Sequence, residues 1–174
     1  MGNKIFNNER KKVHFVGVGG VSMSALADYA LSRGFKVSGS DVTLNDKTQR
    51  LVDKGAEITH RHSGQNVSGA DAVIVTSAVG EDNVEIKAAK EQNIPVFERA
   101  QVLGEIMEEY KNSVAVSGSH GKTTATAMIS KILLAAKLDP TVFLGGECDD
   151  LNNYRKGDSE YAVVEACEYK KNML

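Results

Sequence analysis

The sequence predicts an α/β fold: a parallel-sheet domain over residues 1–110, followed by the incomplete start of a second α/β domain over residues 111–174. Three observations lead there. Short apolar runs alternate with helical patterns from Val13 onward, as in a parallel βα array. Two glycine-rich loops each follow a strand pattern directly and open a helix pattern. About five βα units precede the polar stretch at residues 111–113, whereas one βα unit and a tail of strands follow it. That second set is too small for a full domain.

The elements read in order as follows. Residues 13–16 form a strand that stops at Gly17. Met23, Leu26, Ala27 and Ala30 recur at i, i+3, i+4 and i+7, one face of a helix that Gly34 ends. Residues 36–40 give a second strand, Leu51 and Val52 mark a short helix stopped near Gly55, and residues 56–59 give a third strand. The valine-rich run at 72–76 is a fourth strand, residues 85–92 a helix, and 95–97 a short fifth strand. Val102, Leu103, Ile106, Met107 and Tyr110 share a helical face. Beyond the polar stretch, residues 114–116 open a new strand. A helix follows whose apolar face holds Ala125, Met128, Ile129, Ile132, Leu133 and Ala136. Strands at 141–144 and 161–164 complete the chain.

Composition narrows the function. Apolar residues make up 41% and charged residues 25%, enough for a sizeable core. The net charge of −2 is spread along the chain and gives no footprint for nucleic acid or an anionic membrane. Cys148 and Cys167 form no C-x-x-C, which argues against a disulfide framework or a thiolate zinc site. Residues 1–10 are polar, without the apolar region of a signal peptide, and no apolar run approaches a membrane span. The expectation is a cytoplasmic protein.

The first loop is Gly17-Val18-Gly19-Gly20-Val21-Ser22. Glycines allow a tight turn and close approach of a phosphate, and the helix N-terminus offers N–H groups and a positive dipole end. Asp41 stands at the end of the next strand, where a ribose-binding carboxylate belongs. Ser22 replaces the third glycine of the dinucleotide fingerprint. Three readings therefore remain: a dinucleotide site, a uridine diphosphate site using the same physics, or a tight turn without a ligand.

The second loop is Gly118-Ser119-His120-Gly121-Lys122-Thr123-Thr124. Val116 stands where the usual P-loop has its first glycine, so this is a shortened variant. Its backbone N–H groups can cradle phosphates, Lys122 can reach the terminal ones, and the Thr123 hydroxyl can ligate Mg²⁺. Such a loop needs a metal-directed carboxylate on a neighbouring strand. Glu165 closes the run at 161–164, with Glu168 three residues on. The competing reading makes both solvated loop charges.

The two loops in this order resemble the Mur ligase family, ATP-dependent amide-bond ligases. The similarity runs through Val13 to Ser24, Ser38-Gly39-Ser40-Asp41, the second loop, and Glu165-Ala166-Cys167-Glu168-Tyr169, and so covers nearly the whole chain from about Lys11. Within the family, the opening loop with Met23-Ser24 is most similar to the alanine-adding branch. The resemblance implies a Rossmann-like first domain that holds a UDP-sugar and a central P-loop domain that binds ATP and Mg²⁺. It implies UDP-N-acetylmuramate and L-alanine as substrates, joined through an acyl phosphate in peptidoglycan precursor synthesis, with Lys122 as the catalytic residue.

It further implies that residues 17–22 face the substrate diphosphate and that Asp41 lies at the uridine side. By the same resemblance, His62, Thr76-Ser77-Ala78 and Arg99 match segments of the same cleft or the domain junction. His62 and the Ser-Ala turn read equally well as structural, and Arg99 as a surface ion pair. His120 has no role beyond its place in the loop. Because family enzymes continue well past the acidic motif, this chain alone is expected to lack ligase activity and to self-associate through its incomplete second domain. Competing functions are the related murein tripeptide ligase, a non-catalytic UDP-sugar-binding domain, and an NAD-dependent oxidoreductase, which leaves Lys122-Thr123-Thr124 unexplained.

Overall fold

Two separate sheets organise the chain in its computed structural model, which describes residues 5–6, 11–148 and 150–166. Compact units comprise residues 1–102 and 103–174. The division falls inside a helix, after Val102, and so ahead of the boundary expected at Lys111. The polar stretch at 111–113 looked like a linker, but it starts a strand.

The first unit holds five parallel strands: β1 (Lys12–Val16), β2 (Lys36–Ser40), β3 (Glu57–Thr59), β4 (Ala72–Val75) and β5 (Val96–Glu98). Their order is β3-β2-β1-β4-β5, a Rossmann-like arrangement. β1 is central, with Phe15 opposite Gly39 on one side and Ile74 on the other. β1 and β4 are covered on both faces, which is why they read as near-continuous apolar runs.

Three helices fall between these strands: α1 (Val21–Ser32), α2 (Asp46–Asp53) and α3 (Val84–Glu91). α1 buries Met23, Leu26, Ala27 and Ala30, the face read from the sequence. α3 lays Ile86 and Ala89 against Val16, Val73 and Val75. α2 begins with a capping box in which the Asn45 side chain accepts from the Thr48 N–H and the Thr48 hydroxyl meets the Asn45 N–H. A 3-10 turn at Gly64–Val67, absent from the sequence reading, tucks Val67 into the core. α4 (Arg99–Glu108) spans the division between the units.

The second unit contains β6 (Asn112–Val116), α5 (Lys122–Ala135), β7 (Thr141–Phe143), β8 (Tyr154–Arg155) and β9 (Tyr161–Glu165). The sheet runs β6-β9-β7-β8 and is mixed, because β8 pairs antiparallel to β7. A two-residue strand carries too little pattern to be seen in sequence. α5 leaves part of its apolar face uncovered. Its inward side holds Thr126 and Ser130, while Met128 is 61% and Ile132 65% exposed. The buried hydroxyls are satisfied within the helix, Thr126 donating to the Lys122 carbonyl and Ser130 to that of Thr126. A hydroxyl bonded in this way costs little to bury, so polarity alone did not mark the inward face.

Candidate phosphate-binding sites

The strand order fixes where a ligand can sit in the first unit. Connections run outward from β1 to β3 on one side and from β4 to β5 on the other, so the order reverses at β1 and β4. Crevices beyond the carboxyl ends of such strands are the ligand sites of open α/β sheets. The loop at residues 17–22 leaves β1 there, and Thr76, Ser77 and Ala78 leave β4 beside it. The two segments touch: a methyl group placed on Gly17 would lie 3.3 Å from Thr76 Cγ2. Gly17 has a φ of +78°, which favours glycine at the turn.

Ser40 and Asp41 hold the loop in shape. The Ser40 carbonyl accepts from the N–H groups of Gly17 at 2.8 Å and Val18 at 3.1 Å. Asp41 Oδ2 accepts from the Gly19 N–H at 2.7 Å, and Oδ1 from the Thr43 N–H at 2.9 Å. Asn45 donates to the Gly19 carbonyl at 3.1 Å, tying α2 to the same loop. Gly19 is tightly enclosed, since a β-carbon there would fall 2.8 Å from Asp41 Oδ2 and 3.0 Å from the Thr43 carbonyl. Val18 is buried, and Gly20, Val21 and Ser22 lead into α1.

Beside the loop lies a buried polar cluster that the sequence reading missed. Glu85, in the first turn of α3, is fully buried. Its Oε2 accepts from the Ser40 hydroxyl at 2.6 Å and lies 2.8 Å from His62 Nδ1. Its Oε1 accepts from Asn66 at 2.6 Å and lies 3.5 Å from Nε2 of the buried His14. Burial alone would push the Glu85 carboxyl up, but His14, Ser40, Asn66 and His62 together outweigh it and lower it to about 2. No sequence signal separates Glu85 from the solvated glutamates, because its partners come from β1, β2, the segment after β3 and the 3-10 turn. Arg99 opens α4 and has no side-chain partner among the described residues.

In the second unit the loop at residues 118–124 joins β6 to α5. Gly118 has φ +148° and Gly121 +75°, so both bends use conformations that other residues rarely adopt. Lys122 is the first residue of α5, and its ammonium donates to the Gly118 carbonyl at 2.5 Å. Ser119, His120 and Thr124 are exposed.

Thr123 and Glu165 each lie against Gly145-Gly146, the turn that follows β7. The Gly145 N–H donates to Glu165 Oε2 at 2.7 Å, and a β-carbon on Gly146 would lie 3.0 Å from Thr123 Cγ2. A β-carbon on Gly145 would overlap the Glu165 carboxylate. This glycine pair, unremarked in sequence, leaves room for the Glu165 carboxylate at Gly145 and for the Thr123 side chain at Gly146. Among the described residues no group of three or more His, Cys, Asp or Glu could hold a metal ion. Mg²⁺ does not need one: it is commonly held by one or two protein oxygens together with nucleotide phosphates and water, and the donors here are a hydroxyl and a carboxylate. Glu168 and Cys167 lie outside the described residues. No helix among the described residues is long and apolar enough to cross a membrane.

Comparison with known proteins gives a consistent pattern. A sequence profile described as "Mur ligase family, catalytic domain" matches residues 12–111. A UDP-N-acetylmuramate–L-alanine ligase of Clostridium perfringens is 52% identical over 94% of this chain, which spans 36% of that protein's length. Among solved structures, a UDP-N-acetylmuramate–alanine ligase from Thermotoga maritima is 41% identical with a TM-score of 0.84, over 88% of this chain and 36% of the other. A UDP-N-acetylmuramate:L-alanyl-γ-D-glutamyl-meso-diaminopimelate ligase from Neisseria meningitides is 25% identical with a TM-score of 0.85, over 93% of this chain and 54% of the other.

Proposed function

The chain belongs to the Mur ligase family, and on that premise we propose that it carries the UDP-sugar and ATP-phosphate elements of a UDP-N-acetylmuramate–L-alanine ligase. The observation that supports this most is that Thr123 and Glu165 both lie against Gly145-Gly146, beside the helix that begins at Lys122. A nucleotide oxidoreductase built on the first loop has no use for that arrangement. The tripeptide-adding reading is less well supported, at 25% identity against 41% for the alanine-adding structure.

In this reading residues 17–22 receive the diphosphate of UDP-N-acetylmuramate, Asp41 lies at its uridine side, and His62 and Thr76-Ser77-Ala78 line the same cleft, with Arg99 at the start of α4. The residues at 118–124 receive the phosphates of ATP. An oxygen of the muramyl carboxylate attacks the γ-phosphorus, and the bond to the β-phosphate oxygen breaks, giving an acyl phosphate and ADP. The amine of L-alanine then attacks the acyl carbon, phosphate leaves, and the nitrogen loses a proton. Lys122 and the loop N–H groups neutralise charge that grows on the transferring oxygens. Mg²⁺, when bound through Thr123 and Glu165, supplies further charge neutralisation at those oxygens. The product is a peptidoglycan precursor, and the setting is the cytoplasm.

Calorimetric titration of the 174-residue chain with UDP-N-acetylmuramate and with NAD, side by side, tests the first half of the proposal. Binding of the UDP-sugar without binding of NAD is expected. Tight NAD binding with no response to the UDP-sugar would overturn it.

A further inference from the structure

We propose that Glu85 is a positioning residue that fixes the tautomer of His62, so that His62 recognises an N–H or O–H donor of the ligand and not a phosphate oxygen. The proposal rests on the UDP-sugar reading of the first unit and goes on to name which part of that ligand His62 meets.

The argument is one of proton accounting. His62 Nδ1 has two close neighbours, Ser40 Oγ at 2.9 Å and Glu85 Oε2 at 2.8 Å. The Ser40 hydroxyl spends its single proton on Glu85 Oε2 at 2.6 Å, so toward His62 its oxygen can only accept. Glu85 is a carboxylate already receiving protons from Ser40 and Asn66, and it too can only accept. With two acceptors facing it, Nδ1 has to carry the proton. In the neutral ring that leaves Nε2 as a bare lone pair.

His62 Nε2 faces solvent. The side chain is 23% exposed, and Nε2 has no partner among the described residues and is not among their buried unpaired polar atoms. The ring also stands next to the nucleotide loop, because Ser40, whose hydroxyl touches His62, holds the Gly17 and Val18 N–H groups through its carbonyl. A lone pair there repels a phosphate oxygen and attracts a hydrogen-bond donor. A uridine nucleotide offers two such donors, the imide N–H of uracil and the sugar hydroxyls. The helix N-terminus and the loop N–H groups are left to the diphosphate.

Long-range nitrogen–proton NMR of the 174-residue chain reads the tautomer directly. The Nδ1–H form of His62 is expected in the wild type, and an Nε2–H form would overturn the proposal. Adding UDP is expected to shift the Nε2 resonance, whereas inorganic pyrophosphate leaves it in place. Equal shifts with both would assign His62 to the diphosphate and overturn the proposal. With 3-methyl-UDP, loss of the shift assigns the imide as the donor, and its persistence assigns a hydroxyl. In Glu85→Gln the new amide can donate to Nδ1, so the tautomer is expected to swap and UDP affinity to fall about tenfold, the loss of one hydrogen bond. A folded Glu85→Gln chain that keeps the Nδ1–H form overturns the assignment, and if that variant does not fold, the wild-type measurements still decide it. A chain that shows the Nδ1–H form but binds no UDP compound would refute the UDP-sugar reading and leave the tautomer assignment standing. One that binds UDP with His62 unmoved would refute only this inference.

Discussion

Acid should loosen the first unit through Glu85, and the size of the effect follows from its surroundings. Its carboxyl is lowered from the ordinary value of 4.5 to about 2 by donors that outweigh the cost of burial. A group whose value is depressed on folding contributes stability above its unfolded value and loses it as the pH falls through its folded value. The window is therefore pH 4.5 down to 2. At roughly 1.4 kcal/mol per pH unit, the contribution at neutral pH is about 3 kcal/mol, a large fraction of a domain's stability. The facing titratable groups are His14 from β1 and His62 from the segment after β3; the other close partners, Ser40 and Asn66, are neutral. Comparison with Glu85→Gln subtracts what the rest of the chain does in acid. Urea unfolding followed through the methyl signals of Ile74 and Ile86 reports on this unit, since both lie in its core. The wild type should be the more stable at pH 7, and the gap should close between pH 4.5 and 2. A gap that stays constant through that window would show that the Glu85 network does not hold a depressed carboxylate.

Three further outcomes are expected. Lys122→Ala should weaken binding of Mg²⁺·ATP by roughly 10- to 100-fold, the value of a charge-assisted hydrogen bond, while UDP-N-acetylmuramate binding stays unchanged; calorimetry with unaltered ATP affinity would remove Lys122 from the phosphate site. Gly145→Ala should leave the fold intact, because the atoms its β-carbon meets are the end of the Glu165 side chain, yet displace that carboxylate and weaken Mn²⁺·ATP binding seen by paramagnetic resonance; normal binding would separate Glu165 from the metal. Asn45→Ala removes the α2 cap and the bond to the Gly19 carbonyl, so about 1 kcal/mol of stability should go together with UDP-sugar affinity, and a chain that loses neither would show that this tether is idle.

How far the sequence could be read depended on whether the signal was local. The glycine loops, the glycines that stop helices and the valine-rich strands are written in neighbouring residues, so the order of elements in the first unit could be followed from Val13 to Phe97. Glu85 could not be singled out. Its sequence neighbours Val84 and Ile86 place it on a helix, but its burial depends on Ser40, His62 and Asn66, which reach it only once the sheet has formed. Gly145-Gly146 was passed over for the same reason: a close approach shows only when the approaching side chains, Thr123 and Glu165, are in place. On α5 the apolar pattern was legible, but the burial of Thr126 and Ser130 was not, because their hydroxyls bond within their own helix.

The placing of β9 bears on the order in which the chain can fold as it is made. In the first sheet every strand after β1 pairs with one already synthesised: β2 with β1, β3 with β2, β4 with β1, β5 with β4. That sheet can grow residue by residue from the ribosome. In the second, β7 has no pairing with β6, and both pair with β9, the last of the described strands. Until residues 161–165 emerge, β6 and the β7-β8 hairpin are separate pieces with open edges. Domains fold largely as units during N-to-C synthesis, and long-range pairing waits for its partner. The loop at residues 17–22 can therefore take its shape while the Gly145-Gly146 turn still waits for β9 to bring Glu165 to it.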